Sequence, residues 1–165
     1  LIIFFLERAN TIILTFIVIG CASALGSEKE NEIVAMTILG EARGEGKAGM
    51  YAVACVLKQR SINRKLTPTQ VCLQNRIVKG KRIHQFSCWN YTSLVQYGRT
   101  RAKLKALLKT EEGEYAKLLA SNMHNLKREY VKNADHYCTL NTHNYWTKKS
   151  EPVRIIGNHK FYKLK

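Results

Sequence analysis

Two helix-like segments joined by a glycine-rich turn constrain the fold of this chain more than any other feature. The apolar run Ile33–Leu39 predicts a helix that ends near Gly40, and the Ala/Val-rich run Ala48–Arg60 predicts a second helix. Between them lies GEARGEGKAG, in which Glu41 and Glu45 stand among glycines and one arginine. A packed helix that delivers a carboxylate into an open turn is typical of general acid–base chemistry on a bulky substrate.

The rest of the pattern predicts a single α+β domain that is mostly helical, and 165 residues suffice for one hydrophobic core. Thr67, Pro68 and Gln70 have the spacing of a capped helix start. The other expected elements are helices at Leu94–Leu108 and Glu111–Tyr130, a strand at His136–Leu140 and a small C-terminal antiparallel hairpin at Val153–Lys163.

The charge balance favours an anionic partner. There are 27 Lys and Arg against 12 Asp and Glu, a net charge of +15. Such a surface attracts nucleic acid, anionic lipid or an acidic cell-wall polymer, and charge alone does not choose among them. Because the sequence shows no aromatic stacking platform of the usual nucleic-acid modules, we expect no nucleic-acid partner. A solvated basic face, such as that of Arg101, Lys105 and Lys109, is instead expected to hold the protein to an anionic wall or membrane, and Lys79, Lys81 and Arg82 are expected to add affinity for the wall.

The first 26 residues have the pattern of an export leader. The apolar run Thr11–Ile19 is too short to cross a bilayer core of about 30 Å, but it matches the apolar part of a secretory signal. Cleavage after Ala24 and lipid attachment at Cys21 are competing interpretations, and an uncleaved anchor is a third. We therefore expect export to the envelope (periplasmic, lipid-anchored or secreted), with residues 27–165 as the functional domain.

The cysteines and histidines allow two further expectations. In an oxidising envelope Cys72 and Cys88 are expected to form a disulfide, whereas Cys55 is expected to be a buried apolar residue. A zinc-dependent envelope peptidase or amidase is a rival function. Its possible ligands are His136, Cys138, His143 and His159. Their H-x-C and H-x6-H spacings match no strong zinc signature, so we expect no metal and no other cofactor.

Several residues qualify as site candidates. Glu41 is the preferred acid, although a surface glutamate at a helix end is the commoner structure. Glu45 is a poorer second carboxylate and is expected to bind backbone amides or Arg43. The segment Gln85–Asn90, QFSCWN, combines an amide, a hydroxyl and an aromatic ring, which suits sugar recognition, although a core tryptophan with a closing loop is the alternative.

Five motifs in order resemble those of SleB-type cell wall hydrolases, a family of spore-cortex-lytic and lytic-transglycosylase-like enzymes. They are GEARGEGKAGMYAVACVLKQR, QFSCWN, ADHYC, NYW and RIIGNHKFY. The resemblance implies a lysozyme- or lytic-transglycosylase-like fold and a monomeric enzyme that cleaves the β-1,4 bond between N-acetylmuramic acid and N-acetylglucosamine in peptidoglycan. It implies Glu41 as the catalytic acid and Gln85, Ser87, Tyr137 and His159 as substrate-binding positions. A non-catalytic basic wall-binding protein is the alternative.

Overall fold

The computed structural model describes residues 27–142 and 144–164 of the chain. Its helices are α1 (27–42), α2 (Gly46–Arg64), α3 (Pro68–Leu73), α4 (Leu94–Leu107) and α5 (Glu111–Ser121). Its strands are β1 (Asn75–Val78), β2 (Lys81–His84), β3 (His136–Thr139), β4 (Arg154–Ile156) and β5 (His159–Tyr162). Single 3-10 turns lie at Arg43–Glu45, Ser87–Trp89, Met123–Asn125, Arg128–Val131 and Tyr145–Lys149.

The predicted leader, with Cys21 and Ala24, lies outside the described residues. Within the described ranges no helix combines the length and apolar character needed to cross a bilayer.

Helix α2 is the centre of the core. Its segment 52–57 is fully buried, and the helix is covered by α3, α5 and the turn Arg128–Val131. A helix that is apolar around its circumference is stable only when other elements surround it, which is why the Ala/Val-rich run lies in the middle of the domain. Most of α1 between Val34 and Leu39 is also buried, so the acidic turn that joins α1 to α2 is anchored on both sides.

The predicted helices are found, with one clear difference in length. The capping box at Thr67 is formed, with Gln70 N–H donating to the threonine hydroxyl and the Gln70 side chain accepting from Thr67 N–H. The helix expected to continue to Tyr130 ends at Ser121. There the helical pattern gives way to a 3-10 turn. The Asn122 N–H still donates to the Leu118 carbonyl at 3.1 Å, but the Asn125 N–H donates to the Asn122 carbonyl at 2.9 Å.

The C-terminal strands form one antiparallel sheet in the order β3-β5-β4. The predicted strand and the predicted hairpin are both present, and β5 pairs with both of its neighbours. A second hairpin, β1–β2, was not predicted. Its turn places Lys79 and Gly80 at positive φ, +48° and +76°, as tight hairpin turns require. The sequence signal for it was the Lys-Gly pair between R-I-V and K-R-I.

The disulfide expected between Cys72 and Cys88 is not formed, because all four cysteines in the described part of the chain are free thiols. Cys72 is fully buried on α3, and burial raises its pKa to about 12. Burial also raises the pKa of Cys88, which packs against the backbone of Gly40. Both thiols therefore serve as packing groups of low reactivity.

Candidate active site

The Glu41 carboxylate is held by donors from two distant parts of the chain. Glu41 lies in the last turn of α1 and is half-buried. Its Oε1 accepts from the Ser87 backbone N–H at 3.1 Å and from the Ser87 hydroxyl at 3.2 Å. Its Oε2 accepts from the Tyr137 hydroxyl at 2.9 Å. Three of the residues selected from the sequence, Glu41, Ser87 and Tyr137, are thus in direct contact.

These partners suit a carboxyl group that exchanges a proton. A hydroxyl group can donate or accept, so Ser87 Oγ and Tyr137 Oη can adapt to either protonation state of Glu41, whereas the Ser87 N–H always donates. Burial, followed by the charge of Glu41, raises the pKa of Tyr137 well above its ordinary value. The phenol therefore stays protonated and remains a donor to the carboxylate.

Ser87 is positioned by close packing between α1 and the turn Ser87–Trp89. The buried Trp89 indole donates to the Thr37 hydroxyl at 3.0 Å, one helical turn before Glu41. A Cβ atom at Gly40 would lie 2.6 Å from the Cβ of Cys88, far inside van der Waals contact. Glycine at this position therefore lets the turn approach α1 closely enough for Ser87 to reach Glu41.

This packing leads to a prediction for Gly40→Ala. We expect a loss of about 1–3 kcal/mol of stability from the overlap with Cys88 and a fall in activity of roughly tenfold or more, because Ser87 is displaced from Glu41. Thermal unfolding and glycan-strand cleavage measure the two effects. Gly44→Ala is the matched control, since a Cβ there would meet nothing within 4 Å. Equal behaviour of the two variants would contradict the packing argument.

Arg60 lies behind the site as a buried cation, and the sequence analysis did not select it. The side chain on α2 is only 8% exposed, and its guanidinium lies 5.4 Å from the Phe86 ring centroid and 5.9 Å from that of Tyr137. Its Nε donates to the carbonyl of Asp135 at 2.6 Å. Burial lowers its pKa, but a guanidinium remains charged. Arg60 thus packs under both segments that bind Glu41.

Gln85 and His159 do not bind Glu41 directly. The Gln85 side-chain oxygen accepts from Arg64 at 2.9 Å and from Arg60 at 3.5 Å, so the arginines orient it. His159 on β5 is 5% exposed and meets the Tyr137 ring edge-on, with 5.2 Å between the centroids. Its Nδ1 is buried without a hydrogen-bond partner in the described structure.

Glu45 has a structural contact, as the sequence led us to expect. Its Oε2 accepts from the backbone N–H of Asn158 at 2.6 Å and so anchors the β4–β5 turn beside the acidic turn. Gly157 in that turn has φ +54°, and a Cβ there would lie 2.3 Å from Glu45 Oε2. The second carboxylate of the motif therefore holds the sheet next to the active-site helix.

Asp135 and His136 form a hydrogen-bonded pair next to Arg60, in which Asp135 is buried and His136 is half-buried. Asp135 is 4% exposed and its Oδ1 lies 2.9 Å from His136 Nδ1. Burial lowers the pKa of His136, and the opposing pull of Asp135 does not cancel it. Burial alone would raise the pKa of Asp135, but hydrogen bonds from His136 and from the N–H of Leu164 lower it.

The His136 shift predicts a dependence of stability on pH. The unfolded chain takes up a proton near pH 6.5, while the folded protein does so only at lower pH. The unfolded state therefore binds more protons as pH falls below about 6.5, and stability decreases there. The free energy of unfolding is measured by urea denaturation between neutral pH and pH about 5. His136→Gln should reduce the loss of stability over this range, whereas the control His124→Gln, at an exposed position, should not. Parallel profiles for all three proteins would refute the assignment.

Within 27–142 and 144–164, no three His, Cys, Asp or Glu side chains gather at metal-binding distance. His143 of the rival zinc hypothesis lies outside these ranges.

Comparison with known proteins identifies the class to which this fold and site belong. A sequence model of the cell wall hydrolase family matches residues 44–162, and the chain therefore belongs to that family. The family implies action on the cell envelope. The matched range begins three residues after Glu41. A search of curated proteins found no match.

Two solved structures share the fold. One is the catalytic domain of the germination-specific lytic transglycosylase SleB from Bacillus anthracis, with 22% identity, a TM-score of 0.54, and coverage of 81% of this chain and 93% of that one. The other is the catalytic domain of the Bacillus cereus SleB protein, with 21% identity, a TM-score of 0.54, and coverage of 81% and 89%. This likeness confirms the predicted α+β, mostly helical, SleB-type fold.

Proposed function

We propose that the protein is a peptidoglycan lytic transglycosylase that uses Glu41 as its single acid–base catalyst. The observation that supports it is the Glu41 carboxylate held between Ser87 and Tyr137 at the end of a buried helix. Family membership supports a cell-wall substrate, and the SleB catalytic domains, one of them described as a lytic transglycosylase, share the fold. The reaction is the cleavage of the β-1,4 bond between N-acetylmuramic acid and N-acetylglucosamine.

A mechanism with one carboxylate agrees with the contacts of the two other acidic side chains near the site, because both are already hydrogen-bonded within the protein. Two-carboxylate glycosidases need a second group free to act as base or nucleophile, at about 5–10 Å from the acid. Glu45 is engaged by the Asn158 N–H, and Asp135 is buried against His136 and the N–H of Leu164. Neither acid is therefore suited to that role.

In the first step, the Glu41 carboxylic acid gives its proton to the glycosidic oxygen, and the bond from that oxygen to muramyl C1 breaks. In the second step, the Glu41 carboxylate takes the proton of the muramyl C6 hydroxyl. The C6 oxygen then bonds to C1 and closes a 1,6-anhydro ring. Glu41 recovers its proton, so that the glycan is cut without net uptake of water.

The groove beside Glu41 is proposed to bind the sugars through Gln85, Ser87, Tyr137 and His159. Ser87 and Gln85 are exposed, and the arginines beneath Gln85 hold its carbonyl oxygen so that its amide nitrogen is left for a ligand. The unpartnered Nδ1 of His159 lies beside the ring of Tyr137. A polar atom buried without a partner is costly, and a sugar hydroxyl or amide would satisfy it.

The same proposal includes export to the envelope, with residues 1–26 as a signal or lipoprotein leader and residues 27–165 as a monomeric catalytic domain. The support is the apolar run at Thr11–Ile19 together with membership of a family that acts on the cell wall.

Mass spectrometry of the soluble products from purified peptidoglycan tests the function. Anhydromuropeptides are expected. Muropeptides with reducing ends would show that the enzyme is a lysozyme-like hydrolase and not a transglycosylase. Intact strands would refute glycosidase activity and favour a non-catalytic wall-binding protein. A parallel digestion with a chelator tests the zinc peptidase, which would release cut peptides and lose activity until zinc is restored.

A further inference from the structure

The β1–β2 hairpin is a second candidate functional surface, because its side chains are almost all exposed. It projects between α3 and the turn Ser87–Trp89. We define the hairpin patch as its exposed side chains together with two aliphatic residues of the first turn of α4. Its members are Arg76, Ile77, Val78, Lys79, Lys81, Arg82, Ile83, Leu94 and Val95.

The aliphatic members of the patch are unusually exposed. Ile77 is 65% exposed and Leu94 is 82% exposed, and Val78, Ile83 and Val95 are exposed as well. Scattered apolar residues on a surface are ordinary, but three exposed aliphatic side chains on one short hairpin, Val78 and Ile83 on one face and Ile77 on the other, mark a candidate interaction site. A hollow of ≈ 480 Å³ lies between β2 and the segment 89–96, and Lys81, Arg82 and Ile83 of the patch line one side of it.

Cationic and aliphatic side chains alternate on both faces of the hairpin. The strands pair Arg76 with Ile83, Ile77 with Arg82 and Val78 with Lys81. Since directly paired residues point to the same side, each face presents both an aliphatic and a basic side chain. In the part of the chain that the structure describes, none of these cations forms a salt bridge.

The segment of the sequence that carries the patch has charges of one sign only. Residues 46–110, which include both strands and α4, contain 14 Lys and Arg and no Asp or Glu, although Lys105 of α4 pairs with Glu32 of α1. The unpaired cations of the hairpin repel cationic partners and attract a dense anionic one. The positive charge favours a polyanionic partner. The five exposed aliphatic side chains favour a polyanion that also has an apolar region.

We propose that the hairpin patch docks the protein on an anionic phospholipid bilayer. Interfacial binding combines attraction between cations and lipid phosphates with the burial of aliphatic side chains at the boundary of the acyl chains, and the patch offers both. A phosphate polymer of the wall would use the cations but would leave the aliphatic side chains in water. For this reason the bilayer is the better partner.

Docking of the hairpin on a bilayer has a consequence for the candidate active site, and this consequence rests on the proposed function. Gln85 and Ser87 follow β2 directly, so a hairpin on the bilayer holds the Glu41 groove at the membrane. Cleavage would then be directed to the wall layer nearest the membrane. The docking itself does not depend on the reaction.

Insertion of the hairpin is tested with the full chain carrying Ile77→Trp and anionic phosphatidylglycerol vesicles with brominated acyl chains. Leu118→Trp is the matched control, since Leu118 on α5 is 56% exposed and lies outside the patch. We expect bromine quenching beyond that of the unmodified protein for Ile77→Trp, lost in neutral phosphatidylcholine vesicles and at high salt. No extra quenching at position 77, or equal quenching at position 118, would overturn the proposal.

The contribution of charge is tested by vesicle sedimentation with two triple variants of equal net charge. In the first, Lys79, Lys81 and Arg82 are replaced by Gln; in the second, the exposed residues Lys127, Lys148 and Lys149 are replaced by Gln. The first should bind anionic vesicles roughly tenfold or more weakly than the second. An equal loss of vesicle binding in the two variants would show attraction by net charge alone and would refute docking through the hairpin. Binding to an anionic wall polymer without binding to vesicles would also refute it. Glycan cleavage in solution reports separately on the proposed function.

Discussion

Replacement of Glu41 by glutamine is expected to lower the rate of glycan-strand cleavage by about 10²- to 10⁴-fold, the contribution of a positioned general acid–base group. Glutamine keeps the shape of the side chain. Its amide oxygen can accept from the Ser87 N–H and its NH2 group can donate to the Tyr137 hydroxyl oxygen, but it has no acidic proton to give to the glycosidic oxygen. The fold should be preserved, because Glu41 lies at the rim of the core rather than inside it. Release of soluble muropeptides measures the effect.

The control for this variant is Glu112→Gln, which makes the same chemical change at an exposed position on α5. It should cleave at the rate of the unmodified protein. Equal thermal unfolding of the two variants would show that the loss at position 41 is chemical. Substantial cleavage by Glu41→Gln would refute the assignment and return attention to Glu45, the other carboxylate of the motif.

Replacement of Arg60 by methionine is expected to have the largest effect on stability, about 2–4 kcal/mol, and to lower activity as well. Methionine fills part of the volume but leaves the carbonyl of Asp135 without its donor and removes the cation between the rings of Phe86 and Tyr137. Because Tyr137 and the segment after Phe86 both bind Glu41, the loss should reach the Glu41 carboxylate. Denaturant unfolding and turnover at saturating substrate measure the two effects.

Two further variants separate positioning by Arg60 from general destabilisation. Arg60→Lys keeps the charge but lacks the planar fork, so it should recover stability more than turnover. Arg99→Met makes the methionine substitution at an exposed position on α4 and should change neither. If Arg60→Lys restores turnover and stability in equal proportion, the role of Arg60 is structural only. A neutral result for Arg60→Met would contradict the described contacts.

Local patterns that depend on neighbouring residues were predictable from the sequence. The helix of the core, the capped start at Thr67 and the C-terminal hairpin all follow from side-chain periodicity and turn residues. The first failure, a helix expected to reach Tyr130, arises where the chain passes from α5 into the 3-10 turn Met123–Asn125, a change that side-chain periodicity does not show. The second, the missed β1–β2 hairpin, came from strands exposed on both faces, which lack the usual alternation.

The candidate site also has some features that the sequence predicted and others that only the tertiary structure decided. The motif around Glu41 predicted the acid, because a carboxylate at the end of an apolar helix is a local pattern, and the catalytic role of Glu41 stays a prediction. That Ser87 binds it from 46 residues away and Tyr137 from 96, and that Arg60 supports both, was decided by tertiary packing. The roles of the two thiols were decided there too, since packing leaves both Cys72 and Cys88 as free thiols. Sequence spacing records which groups are present, but only close packing between distant segments determines which of them lie within hydrogen-bonding distance.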